Sequence, residues 1–241
     1  MAEGVVVPQG GGSKRGGRLK SNSLGLILLI FAVYILSLAG CRPSPVRLVP
    51  PAKVDYLDGQ ASFSLRGPDG AVRFRLSFCY RLENQARLEL FDPLGRLQTI
   101  VWLKGELATL YLPADRVFWA GESRLITAEV FGQALPAREL ARILAGRWSE
   151  LEVDDGWELQ VDETGSVVSG KRADLSFDIK ETFAPGRVPK TVLFTSRDCM
   201  VRMKLLKLHF NRPRPESVFQ PSIPAGTRKL AWEEISGRWK K

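Results

Sequence analysis

From Ala61 onward, apolar and polar residues alternate with a period of two. Ala61, Phe63 and Leu65 alternate with Ser62, Ser64 and Arg66. After a Gly67-Pro68-Asp69-Gly70 turn, Val72, Phe74, Leu76, Phe78 and Tyr80 alternate with Arg73, Arg75, Ser77, Cys79 and Arg81. This is the pattern of strands with one buried face. Four more strands are expected at hairpin spacing, over residues 87–91, 97–103, 107–112 and 117–120. Asp92-Pro93-Leu94-Gly95, Lys104-Gly105-Glu106 and Pro113-Ala114-Asp115 supply their turns. The period then changes. Ile126, Val130 and Phe131 predict a short helix ended by Gly132. Pro136 suits the first turn of a second helix, with Leu140, Ile143 and Leu144 as its apolar stripe and Gly146 as its stop. Alternation resumes over residues 157–161, 173–179, 191–195 and 201–210. It slips at Leu205-Leu206, which predicts a bulge. A further short helix is expected around residues 230–235.

About ten strands interrupted by two short helices predict a curled sheet with the helices over its open side. Such a shape leaves an apolar cavity between sheet and lid. Phe63, Phe74, Phe78, Phe91, Trp102, Phe118 and Phe177 fall at sheet positions. They either line that cavity or simply fill a core, and composition favours the core.

The N-terminal part has a different pattern. Lys14, Arg15, Arg18 and Lys20 precede an apolar run over residues 24–39, which ends in Leu38-Ala39-Gly40-Cys41. A basic flank, a short apolar core and small residues before a cut make up a secretory signal. The four-residue ending resembles a bacterial lipobox, so residues 1–40 are expected to be a lipoprotein signal peptide. Cys41 would then carry diacylglycerol and an N-acyl chain, its thiol being the only nucleophile there. The alternative is an uncleaved membrane helix. At about 1.5 Å rise per residue, residues 24–40 reach roughly 25 Å, short of a hydrocarbon core of about 30 Å. The Gly-rich lead over residues 1–23 is longer than a signal needs, so either translation starts further on or the lead is cytoplasmic. Residues 41–53, with four prolines, read as an extended lipidated tether. Residues 54–226 form the expected domain and 227–241 a C-terminal tail.

Without residues 1–40, about 200 residues remain, enough for one sizeable domain. The net charge of +9 falls to about +6 once the leader is removed, which favours an anionic neighbour such as a lipid surface or an acidic protein. The cations are scattered along the sequence and nucleic acid is not an expected partner. Cys79 and Cys199 remain. An exported pair can form a disulfide, but their strand positions point one outward and the other inward. His209, between Leu208 and Phe210, fits the polar face of a strand, and the cysteines are too sparse for a metal site. Nothing resembles an esterase elbow or a Cys/His catalytic pair. Asp154-Asp155 and Glu233-Glu234 are adjacent acids whose side chains diverge, so they read as solvated charge and not as a catalytic dyad. No enzyme activity and no cofactor are expected.

The stretch from Arg87 to Gly95 (RLELFDPLG), followed by a strand and the Lys104-Gly105-Glu106 turn, resembles the LolB outer-membrane lipoprotein receptors. Residues 128–136 (AEVFGQALP), Glu139-Leu140 and residues 144–148 (LAGRW) are similar to the helical lid of that family. Phe219 and residues 221–226 (PSIPAG) resemble the final strand of the wider LolA/LolB-like group. The resemblance covers about residues 61–226 and implies a mainly β fold, an open antiparallel half-barrel of eleven strands under an α-helical lid. It implies a cavity for acyl chains, built here by Phe74, Phe78, Leu90, Trp102 and Leu110 with lid residues Leu140 and Leu144. It implies a monomeric outer-membrane lipoprotein that receives lipoproteins or lipids from a LolA-like periplasmic carrier. Leu94 matches the exposed leucine with which that family inserts cargo into the membrane. The alternative is an envelope sensor or interaction lipoprotein on the same fold, as in RseB-like regulators.

Overall fold

The structure, a computed structural model, describes residues 48–236 except Asp69, Glu83 and 184–187, together with Arg238. Cys41, the leader and the first part of the tether lie outside the described residues. Every element described below belongs to the compact unit formed by residues 45–241.

The strands are β1 (Tyr56–Gly67), β2 (Gly70–Arg81), β3 (Gln85–Phe91), β4 (Leu97–Lys104), β5 (Leu107–Leu112) and β6 (Val117–Glu122), followed after three helices by β7 (Glu158–Val161), β8 (Val167–Arg172), β9 (Leu175–Thr182), β10 (Pro189–Thr195), β11 (Met200–Phe210) and β12 (Arg228–Lys229). They form one open sheet in the order β12-β6-β5-β4-β3-β2-β1-β11-β10-β9-β8-β7. The β1–β6 meander and the β7–β11 meander meet at the β1–β11 seam. All pairings are antiparallel except that of β12 with β6. Within the seam Gln60 pairs with Lys207 and Ala61 with Leu205, which leaves Leu206 unpaired and exposed. The expected bulge is therefore present.

The helices are α1 (Ser123–Phe131), α2 (Ala137–Ala145), α3 (Trp148–Asp155) and α4 (Trp232–Ile235). Gly132 and Gly146 stop α1 and α2 in the left-handed conformation that a glycine adopts without strain. Helix α1 touches both β5 and β11. Five strand spacings separate these in the sheet, roughly 24 Å if flat, twice a helix diameter of about 10–12 Å. The sheet therefore curls around the helix. With α2 against β10 and α3 against β7, the helices cover the inner face. A continuous apolar core lies between that face and the helices.

Two elements carry no readable pattern. Only Leu151 of α3 is buried, so that helix has no apolar stripe. Strand β8 is largely polar, and at Gly170 a Cβ would come within 2.5 Å of the Phe177 ring. Both boundaries of the domain also extend past the expected ones. Leu48 packs on the core, and the Asn211 side-chain amide donates to the Lys53 carbonyl. At the other end, the chain after β11 crosses the outer face and pairs β12 alongside β6. Leu230 and Ile235 are buried there, and Trp232 packs on Trp119 with ring centres 4.7 Å apart. The final strand is β12 and not residues 221–226, where Pro221 and Pro224 have no N–H to give to a ladder.

Candidate functional site

The inner face is built by the odd positions of β1, the even positions of β2 and β3, and the odd positions of β4. These bring Phe63, Leu76, Leu88, Leu90, Val101 and Leu103 together, with Leu110 from β5 and Met203 from β11. Ile126, Val130 and Phe131 of α1 and Leu140 of α2 close over them. Between sheet and helices remains an apolar cavity of about 70 Å³. An apolar cavity that accepts a benzene-sized molecule is about 150 Å³. This space is smaller than that, too small for an acyl chain with α1 and α2 where they stand.

Of the seven residues expected to line the cavity, Leu90, Leu110 and Leu140 do so. Phe74, Phe78 and Leu144 are buried on the inner side but lie outside the cavity wall. Phe78 crosses Gly59, where a Cβ would come within 2.8 Å of its ring, and packs near Tyr80 at 5.8 Å. Leu144 is fully enclosed in the core. Trp102 is on the opposite face. It forms a second apolar cluster with Ile100 and Tyr111, covered by Leu97, Phe118 and Ile223, and the Arg87 guanidinium lies 5.4 Å above its ring. Strand β4 is apolar on both faces because the crossing C-terminal segment covers its outer one, so alternation alone cannot assign Trp102. The wall supplied by Val101 and Leu103 of β4, by Ile126, Val130 and Phe131 of α1 and by Met203 of β11 is not among the expected residues.

Leu94 lies where the sequence places it, in the loop between β3 and β4, and is 80% exposed. The Gly95 N–H donates to the Asp92 carbonyl, with Pro93 and Leu94 between them, and Gly95 takes φ 84°. The Asp92 carboxylate accepts hydrogen bonds from the Arg96 N–H at 2.9 Å, from Arg96 Nε at 2.7 Å and from Gln98 Nε2 at 3.1 Å. The backbone bond from Arg96 leads the effects that hold this carboxyl below its ordinary range. The turn is thus fixed at both ends and leaves Leu94 unsupported at its tip. Beside it opens a hollow of about 840 Å³ lined in part by Val72, Phe74, Pro93, Leu94, Thr99 and Leu112. Thr99 also lines the apolar cavity, so the two spaces share one wall. Its hydroxyl is buried and has no hydrogen-bond partner.

The lid is tied down by charge. Glu139 of α2, 3% exposed, accepts a hydrogen bond from Trp157 Nε1 at 2.8 Å and pairs with Arg172 of β8. Asp155 of α3 is not solvated as expected. Its side chain is 1% exposed and receives Arg138 at 2.9 Å and Arg142 at 2.7 Å. Burial pulls the Arg142 guanidinium down, but Asp155, Glu150 and Asp154 outweigh it and leave its pKa raised. Glu234 likewise has a structural role, accepting from the Ala231 N–H.

Cys79 and Cys199 form no disulfide with each other: Cys79 is in β2 opposite Asp58, whereas Cys199 precedes β11 at the other end of the sheet. Cys79 lies on the outer face, where burial pushes its thiol up to about 11. His209 is also on the outer face, as expected, with Nδ1 3.3 Å from Asp58 but at an angle that makes no hydrogen bond. No helix among the described residues is long and apolar enough to cross a membrane.

The chain matches no protein-family model and no curated protein. Among solved structures it is similar to a LolA superfamily protein, NE2245, from Nitrosomonas europaea. Identity is 9% and the TM-score 0.47, over 73% of this chain and 93% of that one. It is similar to a putative outer membrane lipoprotein-sorting protein domain from Vibrio parahaemolyticus, at 10% identity and a TM-score of 0.43, over 70% and 90%. It is also similar to the MucA/MucB complex structure of Pseudomonas aeruginosa, at 14% identity and a TM-score of 0.34, over 69% and 56%. These likenesses concern fold alone. The architecture itself, an open antiparallel sheet curled around a lid of short helices, agrees with the half-barrel under a helical lid that the sequence resemblance implies.

Proposed function

We propose that the protein is a lipid-anchored outer-membrane lipoprotein on the periplasmic face and a carrier, not an enzyme. Its cavity takes acyl chains of lipoproteins or lipids delivered by a periplasmic carrier, and the Leu94 loop passes them to the membrane. The observation that supports this reading is the shared wall at Thr99. An apolar cavity under the helical lid adjoins a hollow whose border carries an exposed leucine. Cys41 supplies the anchor in this reading. Buried acyl chains contribute about 0.8 kcal/mol per methylene, so two or three hold the domain at a membrane without a helix.

Acyl binding is tested by titrating fluorescent fatty acids of increasing length into residues 45–241. Each buried methylene is expected to tighten binding about fourfold until the cavity is filled. Leu140→Glu places a charge in the wall and is expected to abolish saturable binding while the sheet remains folded. Saturable binding that ignores chain length, or survives Leu140→Glu unchanged, would exclude the cavity as the acyl site.

A further inference from the structure

Cations that are dispersed in the sequence meet on the outer face of β2, β1 and β11. In register, Arg75 and Lys204 flank Ser62 of β1 from either side, and Arg73 and Arg202 flank Ser64. Neighbouring strands lie about 4.8 Å apart and same-face residues about 6.8 Å along a strand, so these four occupy roughly 10 by 7 Å. Arg66 adds a fifth cation one step toward the β1–β2 turn. Arg66, Arg73, Arg75 and Arg202 are exposed and form no ion pair among the described residues. Lys204 reaches only Glu181, at 4.0 Å, and that carboxylate also has Lys190 at 3.3 Å. Like charges this close repel within a Debye length of about 8 Å, and an anionic surface relieves that repulsion.

We propose that this patch docks the domain onto the anionic phosphate headgroups of a membrane. Position supports that occupant. The β1–β2 turn and the Leu94 loop leave the sheet at the same end, so exposed cations and an exposed apolar tip share one border of the molecule. The patch holds two serine hydroxyls between its cations and no aromatic anchor of the kind that centres a protein interface. A phosphate array fits spaced cations and hydroxyls better than a folded partner does. This inference stands on charge and register and does not depend on what the cavity binds.

Residues 45–241 contain the whole sheet and its core, so they fold without residues 1–44 and are used without the anchor. They are sedimented with phosphatidylcholine vesicles containing or lacking about 30 mol% phosphatidylglycerol. Binding is expected only to the anionic vesicles and is expected to weaken with salt. Arg73→Glu/Arg202→Glu is expected to reduce binding at least tenfold. Arg73→Gln/Arg202→Gln should reduce it less, and both should retain the wild-type melting temperature and acyl binding. Lys104→Glu/Lys171→Glu, an equal charge change elsewhere on the sheet, is expected to alter binding less than twofold. Equal binding to both vesicles, or an equal loss in the Lys104/Lys171 control, would overturn the proposal. So would unchanged vesicle binding in the Arg73/Arg202 variants with impaired transfer from a periplasmic carrier, which would assign the patch to an acidic protein instead.

Discussion

Leu94 shows how much one residue's neighbours settle. Asp92 accepts the returning N–H, Pro93 pre-sets the turn, and Gly95 takes the positive φ that closes it, so exposure of Leu94 follows from local chemistry. Transfer of one leucine into a bilayer gains about 1–3 kcal/mol, which in the proposed function serves to bring the hollow against the membrane. Leu94→Glu is therefore expected to keep stability within about 0.5 kcal/mol and to keep acyl uptake, because the side chain packs on nothing. Delivery of cargo from a loaded carrier to acceptor vesicles should fail. A fall of several degrees in melting temperature would show that Leu94 is structural, and normal delivery would remove its role. Trp102 is the contrary case. Its strand is apolar on both faces, and the segment that covers its outer face comes from more than a hundred residues further along the chain. Alternation gives no sign of such long-range cover. The cationic patch was hidden for a related reason, since its members come from three strands and only register brings them together.

At the scale of elements, legibility follows amphipathicity. Helices α1 and α2 have apolar stripes and glycine stops, and both are found as expected. Helix α3 puts only Trp148 and Leu151 on the core and is otherwise held by charge, through Asp155 to Arg138 and Arg142, and such pairs leave no periodic mark in a sequence. The same distinction separates what forms the lid from what latches it. Stripe residues hold α2 on the core, whereas Glu139 ties it across to Trp157 and Arg172. Glu139→Ala leaves the buried Trp157 N–H without its acceptor and frees a partly exposed arginine. A loss of about 2–3 kcal/mol is expected, below the full value of a buried pair because Arg172 is in contact with water. Chemical denaturation measures this loss. Hydrogen exchange should quicken in α2 while β1, β2 and β11 stay protected. Uniform quickening throughout the sheet would mean that Glu139 supports the whole fold and not the lid.

For the whole molecule, the C-terminal segment decides where the domain ends. The resemblance ends at Gly226 and the residues after it are expected to be a tail, yet the chain crosses the outer face, pairs with β6 and buries Ile235 completely. Ile235→Ala is expected to cost about 2–4 kcal/mol in urea unfolding, as for a core position. A change under about 0.5 kcal/mol would return these residues to a tail. The β1–β11 seam has a consequence for the order in which the chain assembles. Strand β1 is among the first elements to leave the ribosome, and β11 is among the last. Until β11 arrives, one edge of β1 stands unpaired beside an apolar face bearing Ala61, Phe63 and Leu65, a template for any other strand that meets it. Pairings this distant in sequence form slowly. The half-made meander must therefore be shielded or kept unfolded until synthesis is nearly complete, and a nascent chain truncated before Met200 is expected to aggregate where the full chain folds.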